Sequence, residues 1–381
     1  MSTSAQATLI TISICPTRAL FMDIEALDFH PTKYWQYQPD GRVQCTLCPK
    51  LCTLRDGKRG ACYVRMAHNG EIVLTSYGRS SGFCIDPIEK KPLNHFLPGT
   101  PVLSFGTAGC NLGCKFCQNW DISKSRQMDT LADEASPEQI VNAAKAHHCR
   151  SIAFTYNDPV IFLEYATDVA ALCQEQDIHA VAVSAGYINP APREEFYRHI
   201  SAVNIDLKAF TERFYRKLCA GHLANVLDTL NYLIHETQVW VEITNLIIPE
   251  ENDDTKEIAS MCRWIMDNLG PDVPLHFSAF HPDFKLLDRP RTPIDTLVTA
   301  RNIAKSEGIN HVYLGNVHHP ESDATYCSEC GELLIERDWY QLGAFRLTAE
   351  GNCPHCGTQL PGVYEPDPGD FGARRIPVRI R

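Results

Sequence analysis

The chain has 381 residues, 44 % hydrophobic and 21 % charged, which is enough to bury one large core or two ordinary ones and too apolar for a disordered protein. A formal net charge of -11 excludes a general polyanion binder, whose surface needs a positive field. The cysteines number 17 and gather in short C-x2-C steps, which excludes a secreted disulfide framework and points to metal or iron-sulfur ligation in a reducing compartment.

The first residues, "MSTSAQATLITISICPTRALFM", hold an apolar run with no basic region ahead of it, no A-x-A-like cleavage site and no spanning length, so the chain is expected to be cytoplasmic with no membrane partner. Met22 would serve as a start, which makes residues 1–30 an extension expected to be disordered. Residues 31–95 read as a cysteine-rich module in which Cys45, Cys48, Cys52 and Cys62 stand at C-x2-C-x3-C-x9-C. Zinc and an auxiliary iron-sulfur cluster both fit that spacing, and Lys50, Arg55, Lys58, Arg59 and Arg65 would offset the thiolate charge. Cys84, in "GFCIDP", falls outside the clusters; it reads first as a small buried hydrophobe and, alternatively, as a reactive thiol or further ligand.

Between residues 96 and 320 short β-branched runs alternate with amphipathic stretches, giving strands at 102–107, 151–156, 180–185, 202–208, 239–248, 275–280 and 311–315. Ser136 before Pro137 and Thr292 before Pro293 read as helix N-caps followed by a first-turn proline. The result is an α/β fold with a parallel sheet, open or curled into a full or partial barrel, whose chemistry collects at the carboxyl ends of the strands. The first strand runs into "GTAGCNLGCKFCQNWD", with Cys110, Cys114 and Cys117; the others run into "YNDP", "SAGY", "DLK", "TNLIIP", "FHP" and "GN". Residues 321–365 carry "CSECGELL" and "CPHCGTQL", a zinc-ribbon-like pattern in which Cys327, Cys330, Cys353 and Cys356 form a closed tetrahedral set for zinc, with a rubredoxin-like iron site as the alternative. Residues 366–381, with Arg374, Arg375, Arg379 and Arg381, read as a solvated basic tail.

Four thiolates close a tetrahedral ion, whereas three can hold a [4Fe-4S] cluster and leave one iron open. "CNLGCKFC" resembles the C-x3-C-x-Φ-C signature of radical S-adenosylmethionine (SAM) enzymes, Φ being aromatic. The resemblance implies a partial (β/α) barrel, a [4Fe-4S] cluster on Cys110, Cys114 and Cys117, and SAM chelated at the open iron. It also implies reductive cleavage of SAM to methionine and a 5'-deoxyadenosyl radical that abstracts hydrogen from a substrate. Carried over residue by residue, it puts Tyr156, Asn157 and Asp158 at the methionine amino group, and Asp206, Lys208 and His281 in the methionyl site. It puts the backbone near Asn245 and Ile247 beside adenine, Phe116 on the adenine face and Ser184 among the cofactor contacts. Glu250 stands where the related turn carries glycine, which leaves that turn unassigned.

The N-terminal cysteines together with "YGRSSGFCIDPIEKKPLNHFLPGTP", "TYNDPVIFLEYA", "NIDLKAF" and "LHFSAFHPDFKLLDRPRTP" resemble the radical SAM component of the AmmeMemoRadiSam system, from about His30 to Tyr364. That resemblance implies association with Memo-type and AMMECR-type proteins, a reductant such as flavodoxin or ferredoxin, and a macromolecular, protein substrate. The alternatives are a radical enzyme that modifies RNA, a glycyl-radical-enzyme activase and a non-catalytic iron-sulfur or zinc scaffold. Against the activase, extra cysteines in such enzymes follow the radical loop, while here they precede it.

Overall fold

The computed structural model describes residues 29–125, 131 and 133–380, so the expected N-terminal extension lies outside the described residues apart from Phe29 and His30. Alternating strands and helices build one mixed sheet. Its strands are β1 (Phe83–Pro87), β2 (Pro101–Phe105), β3 (Ser151–Phe154), β4 (His179–Ser184), β5 (Ala202–Asp206), β6 (Trp240–Ile247), β7 (Leu275–Ala279) and β8 (Val312–Gly315). In space they run β8-β7-β6-β5-β4-β3-β2-β1. From β2 to β8 every neighbouring pair is parallel, while β1 returns antiparallel to β2.

Each of the seven predicted strands is present; the first six end one or two residues before their predicted carboxyl ends, and the seventh ends at Gly315 as predicted. Gly106–Thr107, Thr155–Tyr156 and Leu207–Lys208 leave the ladder and become the loops that face the site. Residues Ser151 to Phe154 are all buried, as expected of a parallel strand covered by helices on its faces. The covering helices are α1 (Pro137–Ala146), α2 (Leu163–Glu175), α3 (Pro190–Tyr197), α4 (Leu223–Glu236), α5 (Thr255–Leu269) and α6 (Ile294–Ser306). Helix α5 shows the rule: Ile258, Met261, Cys262, Ile265 and Leu269 form its buried stripe, and the Asp254 carboxylate accepts from the Lys256 and Glu257 amides to cap its start.

Ser136 caps α1 through a full capping box with Gln139, as its sequence predicts. Thr292 does not cap α6, which begins at Ile294 after Pro293. Its hydroxyl is instead committed to the sheet, accepting from the Phe280 amide at 2.8 Å and donating to the Ile247 carbonyl at 2.6 Å, so it ties the ends of β6 and β7 together.

Two elements lie beyond the parallel core. Between residues 29 and 74 small antiparallel sheets carry the N-terminal cysteines, including a hairpin of Arg65–His68 and Glu71–Leu74 turned by Asn69 (φ 52) and Gly70 (φ 81). The C-terminal cysteines flank the hairpin β9 (Leu333–Asp338) and β10 (Gln341–Phe345). The basic tail corrects its sequence reading: β11 (Ile376–Val378) pairs antiparallel with β1 and becomes the ninth strand of the sheet, with Val378 buried. Among the described residues no helix is long and apolar enough to cross a membrane.

Candidate functional site

A cavity of about 450 Å³ opens at the carboxyl ends of the parallel strands. All three loop cysteines line it with Phe116, the loop after β3 adds Tyr156, Asn157 and Asp158, and the end of β5 and the loop after it add Asp206 and Lys208.

The cysteine loop is fastened from several sides. Asn157 Oδ1 accepts from the Thr107 amide at 3.2 Å while its Nδ2 donates to the Gly109 carbonyl at 2.8 Å. Asn111 Nδ2 donates to the Tyr187 carbonyl at 2.9 Å, and the Gly113 and Lys115 amides donate to the carbonyls of Cys219 and Leu218. Those last carbonyls belong to a single π-turn, Tyr215–Cys219, a device that re-aims backbone groups near functional sites. The sequence gives little warning of it; the Cys219-Ala220-Gly221 break, with Ala220 at φ 53, is the one signal.

The thiols are not electrostatically alike. A hydrogen bond from the Cys219 thiol, reinforced by Lys208 and Lys124, draws Cys114 down to about 6 against the cost of burial. Burial pushes Cys110 up to about 11. The Cys117 sulfur lies 3.0 Å from Ser123 Oγ. Burial alone would discharge Lys208, but Asp206, 2.9 Å away, and the neighbouring thiols hold its pKa well above the ordinary value. Asp158 is raised to about 6 by burial, partly offset by the amides of Val160 and Ala185 and by the Ser184 hydroxyl.

Tyr156 sits at φ 70, a strained conformation for a bulky residue, of the kind that persists when its surroundings fix it. Its hydroxyl shares a 2.6 Å hydrogen bond with Cys84 Sγ and donates to Asp86 at 3.0 Å. Lys91 Nζ donates to Asp86 at 2.6 Å, and Arg375, just before the ninth strand, donates to Cys84 at 3.4 Å. Cys84 is therefore buried but polar-bonded, one side chain behind the cavity wall.

Several expected contacts fall elsewhere. His281 is exposed and does not line the cavity, because Phe280 takes the buried position and turns its neighbour outward. The strand period of two puts His276 and Ser278 of β7 on the wall instead. The same alternation puts Thr244 and Leu246 of β6 on the wall, while the Asn245 and Ile247 side chains face away; Asn245 Nδ2 donates to the Leu207 carbonyl. Ser184 acts behind Asp158, donating to its Oδ1 at 3.0 Å. Glu250 adopts φ 66, which explains why glycine suits that turn, and its amide donates to Asp253 Oδ1.

The residues present fit a cluster with a polar ligand. The three cysteines line one cavity with a charged lysine and with Thr244, whose buried Oγ1 has no hydrogen-bond partner among the described residues. Unexpected from sequence are Arg337, Trp339 and Tyr340 of the β9–β10 hairpin, which line the same cavity. Close packing also sets a limit: a Cβ on Gly106 would fall 2.3 Å from the Thr155 carbonyl oxygen and 2.6 Å from Asn157 Oδ1. Gly106→Ala is expected to cost about 1–3 kcal/mol by overpacking and to lower iron retention, checked by urea unfolding and iron assay.

The other two cysteine sets differ in geometry. Cys327, Cys330, Cys353 and Cys356 bring their sulfurs within 4.8 Å of one another, the one such group of possible metal ligands among the described residues. Cys45, Cys48, Cys52 and Cys62 instead surround a second, small cavity of about 10 Å³.

Residues 105–262 match the sequence profile of the Radical SAM superfamily. The chain is 40 % identical over 328 residues to an uncharacterized protein of Methanocaldococcus jannaschii, covering 86 % of this chain and 97 % of that one. It is 26 % identical over 207 residues to the pyruvate formate-lyase-activating enzyme of Clostridium pasteurianum, covering 50 % and 84 % respectively. A solved domain of pyruvate-formate lyase-activating enzyme from Bacteroides vulgatus aligns with 43 % of this chain and 98 % of its own at 17 % identity and a TM-score of 0.39.

Proposed function

Because this chain belongs to the radical SAM superfamily and is therefore an enzyme, we propose that it is the radical SAM component of an AmmeMemoRadiSam system, acting on a protein substrate. The observation that carries the reading is the convergence of Cys110, Cys114 and Cys117 on the strand-end cavity that also holds Asp206 and Lys208. Cys110, Cys114 and Cys117 would hold a [4Fe-4S] cluster, which with SAM supplies reductive C–S cleavage and a hydrogen-abstracting radical.

The rest is the work of the chain's own groups. Lys208, kept charged by Asp206, suits the carboxylate of a methionyl ligand, and the unpaired Thr244 hydroxyl and the Asn157 loop offer polar contacts along the wall. Phe116 is buried and lines the same cavity, where it supplies an apolar face for a base. The hairpin residues Trp339 and Tyr340 line the same cavity and would limit the access of water to it. A protein substrate is favoured over RNA by the net charge of -11, and by exposed Trp120, which stacks on Phe284 beside the cysteine loop and offers an aromatic contact at the rim.

In this reading Cys327, Cys330, Cys353 and Cys356 bind one structural zinc that holds the hairpin in place. Substituting Cys353 by serine is expected to release that zinc and to raise hydrogen exchange in β9 and β10, since the binding energy of such an ion, about 10–16 kcal/mol, is largely folding energy. Elemental analysis with exchange mass spectrometry checks it.

The reading as a whole is tested by incubating the anaerobically reduced enzyme and SAM with candidate Memo-type and AMMECR-type proteins, and separately with RNA. It expects 5'-deoxyadenosine to rise and a mass change to appear in a protein; the same changes in RNA alone would overturn the substrate assignment.

A further inference from the structure

We propose that Glu89 and Asp323, gathered around Arg337 in the strand-end cavity, form a subsite for an ammonium group, and that the group held there is a lysine side chain of a protein substrate. The inference deepens, and rests on, the reading of this cavity as a radical SAM site that acts on a protein.

Three segments far apart in sequence meet at the subsite. Glu89 stands in the turn Ile88–Lys90 after β1, Asp323 ends the short helix Pro320–Asp323 after β8, and Arg337 lies in β9. All three line the cavity and are more than nine-tenths buried, at 5 %, 8 % and 2 % exposure. Glu89 Oε1 accepts from the Gly99 amide at 2.8 Å, while its Oε2 has no hydrogen-bond partner among the described residues. Asp323 Oδ2 likewise has none. Arg337 directs its terminal nitrogens to the Asp323 and Asn94 carbonyls and to the Thr325 hydroxyl. Its Nε stays 3.9 Å from Glu89 Oε1 and unbonded. Buried polar groups are nearly always paired, so three open atoms around one guanidinium in a cavity mark a place for a ligand.

The balance of charge gives the ligand its sign. Lys90 and Lys91 also line the cavity, but both are committed to Asp86, at 3.1 and 2.6 Å. Nearby His318 pairs with Asp338 at 3.0 Å. What remains is two carboxylates against one guanidinium, one positive charge short of balance in a buried place, a cost that an incoming cation removes. Burial pushes Asp323 up to about 6 and also raises Glu89, in both cases against the opposing pull of Arg337. Tyr340 is raised as well, first by burial and then by Asp86, Asp323 and Glu89, so this lining side chain stands in the field of three carboxylates.

Shape and chemistry narrow the cation. An ammonium is compact and has three donors, which suits two open carboxylate oxygens; the five donors of a guanidinium outnumber them. The hairpin supplies aromatic surface beside these carboxylates. Trp339 is 42 % exposed and Tyr340 is half-buried, and both line the cavity. The apolar stem of a lysine can lie along such rings while its charged end reaches the buried carboxylates.

The test uses the full chain, reconstituted anaerobically and loaded with SAM, and reads binding by calorimetry. The probes are blocked acetyl-Gly-X-Gly-amide peptides, with lysine, norleucine or arginine at X, and spermidine as a free polyamine. The lysine peptide is expected to bind at least about tenfold more tightly than the norleucine peptide, and Asp323→Asn and Glu89→Gln are each expected to remove that preference. Equal binding of the lysine and norleucine peptides, or binding of neither, would overturn the proposal. Tighter binding of the arginine peptide or of spermidine than of the lysine peptide would overturn the assignment to a protein lysine. Trp339→Ala changes an exposed residue and is expected to weaken the lysine and norleucine peptides alike; the comparison of peptides on the parent chain stands whether or not the buried variants fold. Electron paramagnetic resonance of the same reduced samples keeps the two readings apart. A parent spectrum that SAM leaves unchanged would sink the reading of the loop cysteines, whereas loss of the lysine preference with a normal SAM-dependent shift would sink the subsite alone.

Discussion

Replacing Cys114 with alanine is expected to reduce 5'-deoxyadenosine formation by about a thousandfold or more, equivalent to about 4 kcal/mol in the barrier, and to cost the loop its iron. The effect is large because the loop offers only three thiolates, and Cys114 is the one whose surroundings favour the charged form. It receives the Cys219 hydrogen bond and lies in the field of Lys208 and Lys124. A contrasting variant separates ligation from tuning. Cys219→Ala removes the hydrogen bond while leaving the three ligands, so iron should stay and the midpoint potential should fall, because a hydrogen bond to sulfur favours the more negative, reduced state. Iron assay, product chromatography and a redox titration of the two proteins check both expectations. Equal iron loss in Cys219→Ala would mean that its role is structural support of the loop.

Glu164→Gln is expected to destabilise the protein by about 3–5 kcal/mol, because it strands a buried cation. Arg65 and Glu164 have side chains 1 % and 8 % exposed, and Arg65 Nη2 lies 2.5 Å from Glu164 Oε2. A second pair of atoms is bonded at 3.2 Å, and Arg65 Nε donates to the Ile161 carbonyl at 3.1 Å, so the guanidinium is held in a fork. This pair joins the N-terminal hairpin to the start of α2. The double change Arg65→Leu/Glu164→Leu should cost less than the single change, since no charge is left unpaired, although an apolar group would then face the cysteine cavity. Urea midpoints of the three proteins measure the difference. A Glu164→Gln cost below about 1 kcal/mol would place this pair with ordinary surface pairs.

The parallel sheet was legible because its signals are local: β-branched runs such as Val203-Asn204-Ile205 bounded by polar residues, and a serine-proline start for α1. The carboxyl-end rule then placed the cysteine loop, Tyr156 to Asp158 and Lys208 on one cavity without a structure. Face assignment failed where a single strand residue decides it. His276 stands near the start of β7 and His281 just past its end, and of the two only His276 lines the cavity. Tertiary features carried no local mark. Ile376–Val378 pairs with a strand about three quarters of the chain away in sequence, and Trp339, in the C-terminal hairpin, lines the cavity through tertiary folding alone. The Asn69-Gly70 hairpin, by contrast, carries a local mark in its dipeptide.

The central claim is that the three-cysteine loop holds a cluster with one iron open to SAM. Electron paramagnetic resonance of the dithionite-reduced chain, with and without SAM, measures this most directly. The account predicts a reduced [4Fe-4S] signal whose g values shift when SAM is added, and the absence of any such shift in Cys110→Ala/Cys114→Ala/Cys117→Ala. A parent protein whose filled, reduced clusters leave the spectrum unchanged by saturating SAM would contradict it.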